Sequence, residues 1–188
     1  MLRHLINPGL ELRQIQPQDA TTLFAVIDAN RVSLREWLPW VDATKKFADT
    51  EAYIKTAQRD FKETRAFTCG IWSMGRLVGI IGHNRIDWGN RIGFPAYWIA
   101  PDAQGQGIMT ACCKAVLEDA FKNLQLSRCL IAVATENPRA QKIPEKLGFT
   151  KISTLKKAEW IRDHYVDHFI YSLLAPQHRK PEAQSEKI

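Results

Sequence analysis

The chain has 188 residues, of which 45% are hydrophobic, and a formal net charge of +6. This length predicts one domain able to bury a core, and no apolar run approaches the roughly 18 residues that a membrane-spanning helix needs. The excess of Lys and Arg suits a polyanionic ligand, but these residues form no dense block interleaved with aromatics, so direct nucleic-acid binding is not expected. There is no signal-peptide pattern, no Cys-x-x-Cys pair and no disulfide-framework spacing, so we expect reduced thiols and a cytoplasmic location.

The N-terminal part predicts one strand followed by helices. Leu10–Ile15 alternates apolar and polar residues, as a strand does, and Asp19 precedes a helical pattern. A second short helix is predicted over Val32–Leu38, because a residue that precedes proline avoids helical geometry and Pro39 follows. A third helix is predicted to begin at Asp49, where acidic residues suit the first turn.

The central part predicts a β-hairpin and a further strand. Ala66–Ser73 and Leu77–Ile86 are strand-like segments joined by a short turn at Met74–Arg76. The run Leu77–Ile81 is apolar throughout, which predicts a strand covered on both faces. A fourth strand is predicted to end at Pro101.

The C-terminal part predicts strand, helix and two more strands. Leu130–Ala134 is a short buried strand, and a helix follows over Pro138–Leu147 with Pro144 inside it, where a kink is expected. Phe149–Thr154 and His164–Leu173 are the last predicted strands, with residues 158–163 between them. The domain is therefore predicted to span residues 1–174, and residues 175–188, which are nearly devoid of apolar side chains, to form a flexible tail.

The segment Tyr97–Asn123 has the pattern strand, glycine-bearing turn, amphipathic helix. The turn carries Gly105 and Gly107, and apolar residues then recur at helical spacing. Because the first amides of a helix have no partner within it, such a turn presents N–H groups to an anion. An ordinary strand-to-helix turn has the same glycine spacing, so both interpretations stay open. The residues of a P-loop and of a dinucleotide fingerprint are absent.

The turn sequence Gln104–Met109 resembles the acetyl-CoA pyrophosphate motif of the GNAT superfamily of N-acetyltransferases, Gln/Arg-x-x-Gly-x-Gly/Ala. Other segments resemble the RimJ/RimL branch, which acetylates protein N-terminal amines: residues 35–40, 79–82, 137–140, 143–149, 158–160 and 167–168. The matches run in order over roughly Leu10 to Leu174. Their co-occurrence is much more specific than any one motif.

The resemblance implies the GNAT fold, an α/β (α+β) protein with a mixed, mostly antiparallel sheet of about seven strands and helices on both faces. In that fold the fourth and fifth strands splay apart at a bulge, and the pantetheine arm of acetyl-CoA lies between them and pairs with their free backbone groups. The cofactor contacts it implies are Trp98, Ile99, Ala100, Gln104, Gly105, Gln106, Gly107, Ile108, Met109, Thr110 and Asn137. For Asn137, a plain helix cap is the alternative.

The implied reaction is attack of a neutral primary amine on the acetyl thioester. The amine must lose a proton, and the resemblance places Glu159 near it as the base; an exposed loop carboxylate is an equally weighted alternative. The backbone N–H of Ile99 is the implied oxyanion contact. No metal is expected, because His164 and His168 lie ~13 Å apart along a predicted strand.

Four residues are candidates for contacting the acceptor substrate: Trp37, Trp40, His83 and Asp87. Two Trp beside a proline bend suit the mouth of a substrate site, although core packing is the commoner use of a single Trp. The chain departs from the family at Ala140 and Pro144, where Ser and Tyr are common. Neither hydroxyl is therefore available to the leaving thiolate.

The function predicted first is an acetyl-CoA-dependent N-acetyltransferase acting on a protein or peptide N-terminal α-amine, with a ribosomal protein as the specific hypothesis. One alternative keeps the chemistry and changes the acceptor to a small amine, such as an antibiotic or a polyamine. Another is a CoA-binding sensor without catalysis, suggested by the missing hydroxyls. A homodimer is considered, and neither a membrane nor a nucleic-acid partner is expected.

Overall fold

The structure is a computed structural model that describes residues 3–176, so most of the predicted tail over 175–188 lies outside the described residues. Its strands are β1 Arg3–Asn7, β2 Leu10–Gln14, β3 Phe67–Ser73, β4 Arg76–Asp87, β5 Ile92–Ile99, β6 Arg128–Ala134, β7 Thr150–Ile161 and β8 His164–Leu174. Its α-helices are α1 Ala20–Ala29, α2 Arg31–Leu34, α3 Phe47–Lys62, α4 Ile108–Lys122 and α5 Pro138–Lys146. Among these, no helix is both long and apolar enough to cross a membrane.

The strands form one sheet in the order β1-β2-β3-β4-β5-β6-β8-β7, and only the β5–β6 pair is parallel. This confirms the predicted mixed, mostly antiparallel sheet. The sheet has eight strands where about seven were expected, because β1 pairs with β2 through a turn at Pro8–Gly9. β1 is almost wholly exposed, so it lacks the apolar alternation that marks a strand in sequence.

Helices cover the two faces of the sheet with separate cores. On one face α4 packs against the central strands, and Cys112, Val116 and Ala120 along one row of this helix are fully buried. On the other face α1 and α3 pack through Leu23, Ile54 and their neighbours. Burying a side chain of this kind contributes roughly 1.5–3 kcal/mol. The helix predicted after Gly107 is therefore confirmed, together with the row that faces the core.

The four cysteines are buried. Burial raises the pKa of Cys69, Cys112 and Cys129 to about 12, because a thiolate loses its hydration there. These side chains therefore remain protonated thiols at neutral pH and pack as small apolar groups.

Two predicted element boundaries are wrong. The second helix ends at Leu34 instead of Leu38, because the Arg31 guanidinium donates to the carbonyls of Val41 and Thr44 and folds the chain back into a 3₁₀ turn over Pro39–Asp42. The strand predicted to end at Thr154 continues to Ile161.

Residues 158–161 thus belong to β7, and the hairpin to β8 is tight. β7 has register irregularities between Lys151 and Ser153 and between Leu155 and Glu159, and nearly all of its residues are exposed. These irregularities interrupt the two-residue alternation, so the sequence hides the true length of the strand.

β5 and β6 separate soon after they begin. They pair only at Ile92–Arg128 and Gly93–Cys129. The predicted splay is therefore present, but the extra residue lies in the neighbouring β4, where the register shifts between His83 and Arg85, and not in β5 itself. Pro95, which has no N–H, marks the point at which β5 leaves its parallel neighbour.

Candidate active site

A cleft of about 740 Å³ opens beside the separated end of β5. Its lining comes from four segments: the end of α2 with the chain after it (within residues 33–38), the end of β5 (97–99), the turn before α4 with its first residues (within 101–110), and α5 from its cap onward (within 137–146). A second concavity of about 690 Å³ near the C-terminal end of α4 contains none of the predicted site residues. The 740 Å³ cleft is therefore the candidate site.

Free backbone amides line the turn that enters α4. Within residues 3–176, the N–H groups from Gly105 to Thr110 have no hydrogen-bond acceptor, whereas the N–H of Ala111 donates to Gly107 at 3.1 Å. All of these residues except Gln106 line the cleft. The partial positive charge of the helix N-terminus adds to these donors. The turn can therefore hold an anion such as a pyrophosphate.

Gly105 and Gly107 both have φ +77°, a conformation in which a side chain is strained. A Cβ built on either residue meets no heavy atom within 4 Å, so the protein leaves the space above both glycines empty. Ile108 and Met109, in contrast, direct their side chains into the core. The long side chain of Met109 therefore does not fill the space above the turn.

Gln104 and Gln106 contribute less than the motif predicted. The Gln104 N–H is already used by the Pro101 carbonyl at 3.2 Å, and its side-chain amide donates to the Ile99 carbonyl at 3.2 Å. Gln106 donates its side chain to the Asp102 carbonyl at 2.9 Å and is exposed outside the cleft. Of this pair, only the backbone N–H of Gln106 is available to an anion.

Basic side chains of α5 face the same cleft. Arg139, Lys142 and Lys146 all line it, and the Arg139 guanidinium donates to Oε1 of Gln104, so it lies over the amide-bearing turn. A cation in the first turn of a helix is opposed by the helix dipole. Its position is favourable only when an anion is nearby. These three residues were not predicted from the sequence, because Lys and Arg on a helix are usually solvated.

Trp98, Ile99 and Ala100, the predicted contacts at the end of β5, differ in the direction of their backbone N–H groups. The Ala100 N–H donates to the Val78 carbonyl of the chain beside it at 2.8 Å, so it is engaged. Backbone N–H groups alternate sides along a strand. The Trp98 N–H therefore also points towards β4, whereas the Ile99 N–H points into the gap between β5 and β6. The N–H groups of Trp98 and Ala100 are therefore not available to a ligand, which corrects the expectation that they contact it. For Ile99, donation of the backbone N–H to a ligand stays a prediction.

Asn137 caps a helix and also lines the cleft, so it is compatible with both interpretations considered for it. Its Oδ1 accepts the Ala140 N–H at 3.0 Å, so it caps α5. It also lines the cleft, and its side-chain N–H₂ group donates to no acceptor within residues 3–176. A ligand in the cleft can use this donor without breaking the cap.

Glu159 lies on β7, half-buried, and not in an exposed loop. Its Oε2 is 3.5 Å from Nε2 of His168, whose side chain is only 15% exposed. His168 pairs with Ala134 at the end of β6, three residues before Asn137 of the cleft. Glu159 itself does not line the cleft; it lies on the β7–β8 hairpin, where its base role stays a prediction.

The two N-terminal Trp take different positions. Trp37 is half-buried and lines the cleft next to Glu36 and Ser33. Trp40 stands outside the cleft, 38% exposed, with its ring 6.1 Å from that of Trp98. Of the two, only Trp37 is among the residues that line the cleft.

The predicted positions of His83 and Asp87 near the cleft are wrong. His83 is 1% exposed, 4.9 Å from the Phe67 ring and directly below Gly93, and burial lowers its pKa to about 3 because the charged imidazolium loses hydration. Asp87 pairs with Ile92, about 23 Å along β5 from Ile99, where its carboxylate accepts from Asn90. Neither side chain can contact a substrate in the cleft.

Besides the three basic residues of α5, Tyr97 and His168 were also not predicted as site residues. Tyr97 is part of an apolar strand, where an aromatic residue usually packs in the core. His168 was noted only for its spacing from His164, whereas its relevant neighbour is Glu159 across the hairpin. Only strand pairing, which a single sequence does not display, brings these groups together.

Residues 9–150 match the family described as Acetyltransferase (GNAT) domain. Among curated proteins, "Putative ribosomal N-acetyltransferase YdaF" of Bacillus subtilis (strain 168) is 30% identical, over 97% of this chain and 97% of that protein. The ribosomal-protein-serine acetyltransferase of Escherichia coli (strain K12) is 26% identical, over 89% and 93%. A solved RimL, the ribosomal L7/L12 α-N-protein acetyltransferase in complex with coenzyme A, has a TM-score of 0.88 over 90% of this chain and 96% of that one; at 21% identity this likeness concerns the fold.

Proposed function

This chain belongs to the acetyltransferase (GNAT) domain family and is an N-acetyltransferase, and from that premise we propose that it transfers acetyl from acetyl-CoA to the α-amine of a protein N-terminus. The proposed acceptor is a ribosomal protein, and the proposed place of reaction is the cytoplasm. A homodimer and the lack of direct nucleic-acid contact stay predictions.

The observation that carries the proposal is the set of unbonded N–H groups from Gly105 to Thr110 at the start of α4. The first amides of any helix lack an acceptor within it, and here the free set also extends back to Gly105, so a ligand or water must supply the acceptors. The pyrophosphate of coenzyme A has the charge and the oxygen atoms that these donors need. Arg139, Lys142 and Lys146 add positive charge on the opposite wall of the cleft.

The gap between β5 and β6 suits the pantetheine arm. Its amides can pair with the Ile99 backbone and with the free side-chain N–H₂ of Asn137, as an added strand does. The carbonyl of the thioester then lies near the Ile99 N–H, which can stabilise the negative charge that develops on oxygen during attack.

Glu159 is the proposed base. It approaches from the β7–β8 hairpin, with His168 at 3.5 Å to hold or relay its proton. An α-amine has a pKa near ~7.7–8, so a sizeable fraction is already neutral at physiological pH and a single carboxylate suffices. A lysine side chain, with a pKa near ~10.4, would demand a stronger base. This difference favours an N-terminal amine as the acceptor.

The names of the relatives favour the same acceptor class. YdaF is named a ribosomal N-acetyltransferase, and the Escherichia coli relative a ribosomal-protein-serine acetyltransferase. In this chain the cleft continues to Ser33, Glu36 and Trp37, where a peptide could present its first residues. Glu36 can pair with the positive charge of an approaching N-terminus.

The test is to measure CoA release and acetyl-CoA affinity together. We expect turnover with peptides that carry free N-termini, including those of ribosomal proteins, and none with the same peptides after their N-termini are blocked. Faster turnover of polyamines or antibiotics would transfer the proposal to a small-molecule acceptor. Acetyl-CoA binding without turnover of any amine would leave a CoA sensor, and lack of binding would contradict the proposal as a whole.

A further inference from the structure

The Tyr97 hydroxyl lies where this chain lacks the family's hydroxyl groups. Tyr97 and Ala140 both line the cleft, and the Tyr97 hydroxyl donates to the Ala140 carbonyl at 3.5 Å. Ala140 occupies a position at which the GNAT family often has Ser. The phenol of β5 therefore ends beside residue 140, across the cleft from α5.

Pro144 explains why this contact exists. In a regular helix the Ala140 carbonyl would accept the N–H four residues later, but that residue is Pro144, which has none. The carbonyl therefore lacks this i+4 donor, and the Tyr97 hydroxyl donates to it instead. At 3.5 Å the hydrogen bond is long and weak, so the hydroxyl can turn to a better acceptor at low cost.

We propose that the Tyr97 hydroxyl donates a hydrogen bond to the sulfur of coenzyme A as the acetyl group departs, and so replaces the hydroxyls missing at Ala140 and Pro144. This inference rests on the proposed function, since it concerns the leaving group of that reaction. It makes Tyr97 a catalytic residue that the sequence motifs do not mark.

The step balances without any additional reactant. The amine nitrogen bonds to the acetyl carbon, the carbon–sulfur bond breaks, and its electron pair leaves on sulfur. The proton of the attacking amine passes to Glu159 or to solvent, and the thiolate takes up one proton from solvent. Burial raises the pKa of Tyr97, so the phenol keeps its proton and acts as a hydrogen-bond donor throughout.

The experiment compares Tyr97→Phe, Ala140→Ser and the double variant, with Tyr171→Phe as the matched control. Tyr171 is also buried, and its hydroxyl contacts Glu145 outside the cleft. We expect Tyr97→Phe to lower kcat about 10- to 100-fold with KM nearly unchanged, because a hydrogen bond to a charged group is lost. Ala140→Ser should restore most of that loss in the double variant and change little alone. Tyr171→Phe should keep wild-type kcat.

A second measurement does not depend on turnover. The ultraviolet absorbance of bound CoA thiolate, followed against pH, should show a higher thiol pKa in Tyr97→Phe than in the wild type. If Tyr97→Phe does not fold, 3-fluorotyrosine at position 97 preserves the shape, and its more acidic phenol should lower the bound thiol pKa. An unchanged thiol pKa, or an unchanged kcat in an enzyme that turns over, overturns the inference. A wild-type chain that neither binds nor consumes acetyl-CoA contradicts the proposed function instead.

Discussion

The two sides of the cleft are built differently. The proposed cofactor side, residues 97–110 with the start of α5, consists of two short segments of the chain, and most of its donors are backbone amides. The proposed acceptor side combines residues 33–38, several of which line the cleft, with the β7–β8 hairpin, which lies outside its lining; the two segments are more than a hundred residues apart in sequence, and their groups are side chains. A ligand common to a whole family can be held by main-chain geometry, whereas an acceptor that varies is read by side chains brought together by the fold.

The largest effect is expected on the cofactor side, from Gly107→Ala. The new Cβ would occupy the empty space above the turn, and we expect acetyl-CoA affinity to fall more than about 100-fold, because charge-assisted hydrogen bonds to phosphate are lost. Titration calorimetry measures this. Gly75→Ala is the control, since Gly75 has the same φ of +77° with open space around it but lies in the β3–β4 turn. Equal losses of affinity in both variants would mean that the effect is one of folding.

The next effect concerns the acceptor side. Glu159→Gln should lower kcat/KM about 100-fold near pH 7, because the amine loses its base. The loss should shrink above about pH 8, where an α-amine is already neutral. A pH–rate profile with an N-terminal peptide measures both, and Asp163→Asn, an exposed carboxylate of the same hairpin, should behave as the wild type. A loss that is constant with pH would exclude Glu159 as the base.

A smaller effect is expected from Trp37→Ala. Loss of an aromatic wall of the cleft should raise KM for the peptide about tenfold while acetyl-CoA affinity changes less than about twofold. Steady-state kinetics with both substrates separates the two constants. Trp88→Ala, which removes an exposed Trp bonded to the Thr64 carbonyl, is the control. If Trp37→Ala weakened acetyl-CoA binding and left KM for the peptide unchanged, Trp37 would belong to the cofactor side.

His83 should affect stability and not activity. Its folded pKa of about 3 lies below the ordinary unfolded value near ~6.5, so the unfolded chain binds a proton that the folded chain refuses. Its contribution to stability is complete above about pH 6.5 and falls by ~1.4 kcal/mol per pH unit below it. Urea unfolding at several pH values should show that the free energy of unfolding depends less steeply on pH in His83→Leu than in the wild type. A changed kcat/KM per folded molecule would contradict the conclusion that His83 lies outside the active site.

The turn and helix of the proposed cofactor side could be predicted because their signals are local, whereas the sheet with its separated strands was implied by the resemblance to the GNAT family. Gly105 and Gly107 at fixed spacing, the apolar row of α4 and the cap at Asn137 are each visible within a few residues. The direction of individual backbone N–H groups could not be predicted from such signals. Whether the N–H of Ile99, or those of Trp98 and Ala100, faces the neighbouring strand depends on which strand lies beside β5.

The acceptor side could be predicted only in part, because its geometry is set by long-range pairing. Trp37, singled out by its proline bend, lines the cleft, but Trp40 does not, and His83 was misplaced, since the sequence of a central strand does not reveal which end of it reaches the cleft. Glu159 was assigned to a loop because irregularities in β7 conceal the alternation, and its neighbour His168 is set by the hairpin register.

The most direct test of the central claim follows individual backbone amides by NMR while coenzyme A is added. We predict that the amide signals from Gly105 to Thr110 shift and become protected from hydrogen exchange, that ADP alone reproduces these changes, and that the Gly75 amide does not respond. If the amides from Gly105 to Thr110 remained unchanged and exchanging at saturating coenzyme A, they would not be the donors that hold the pyrophosphate.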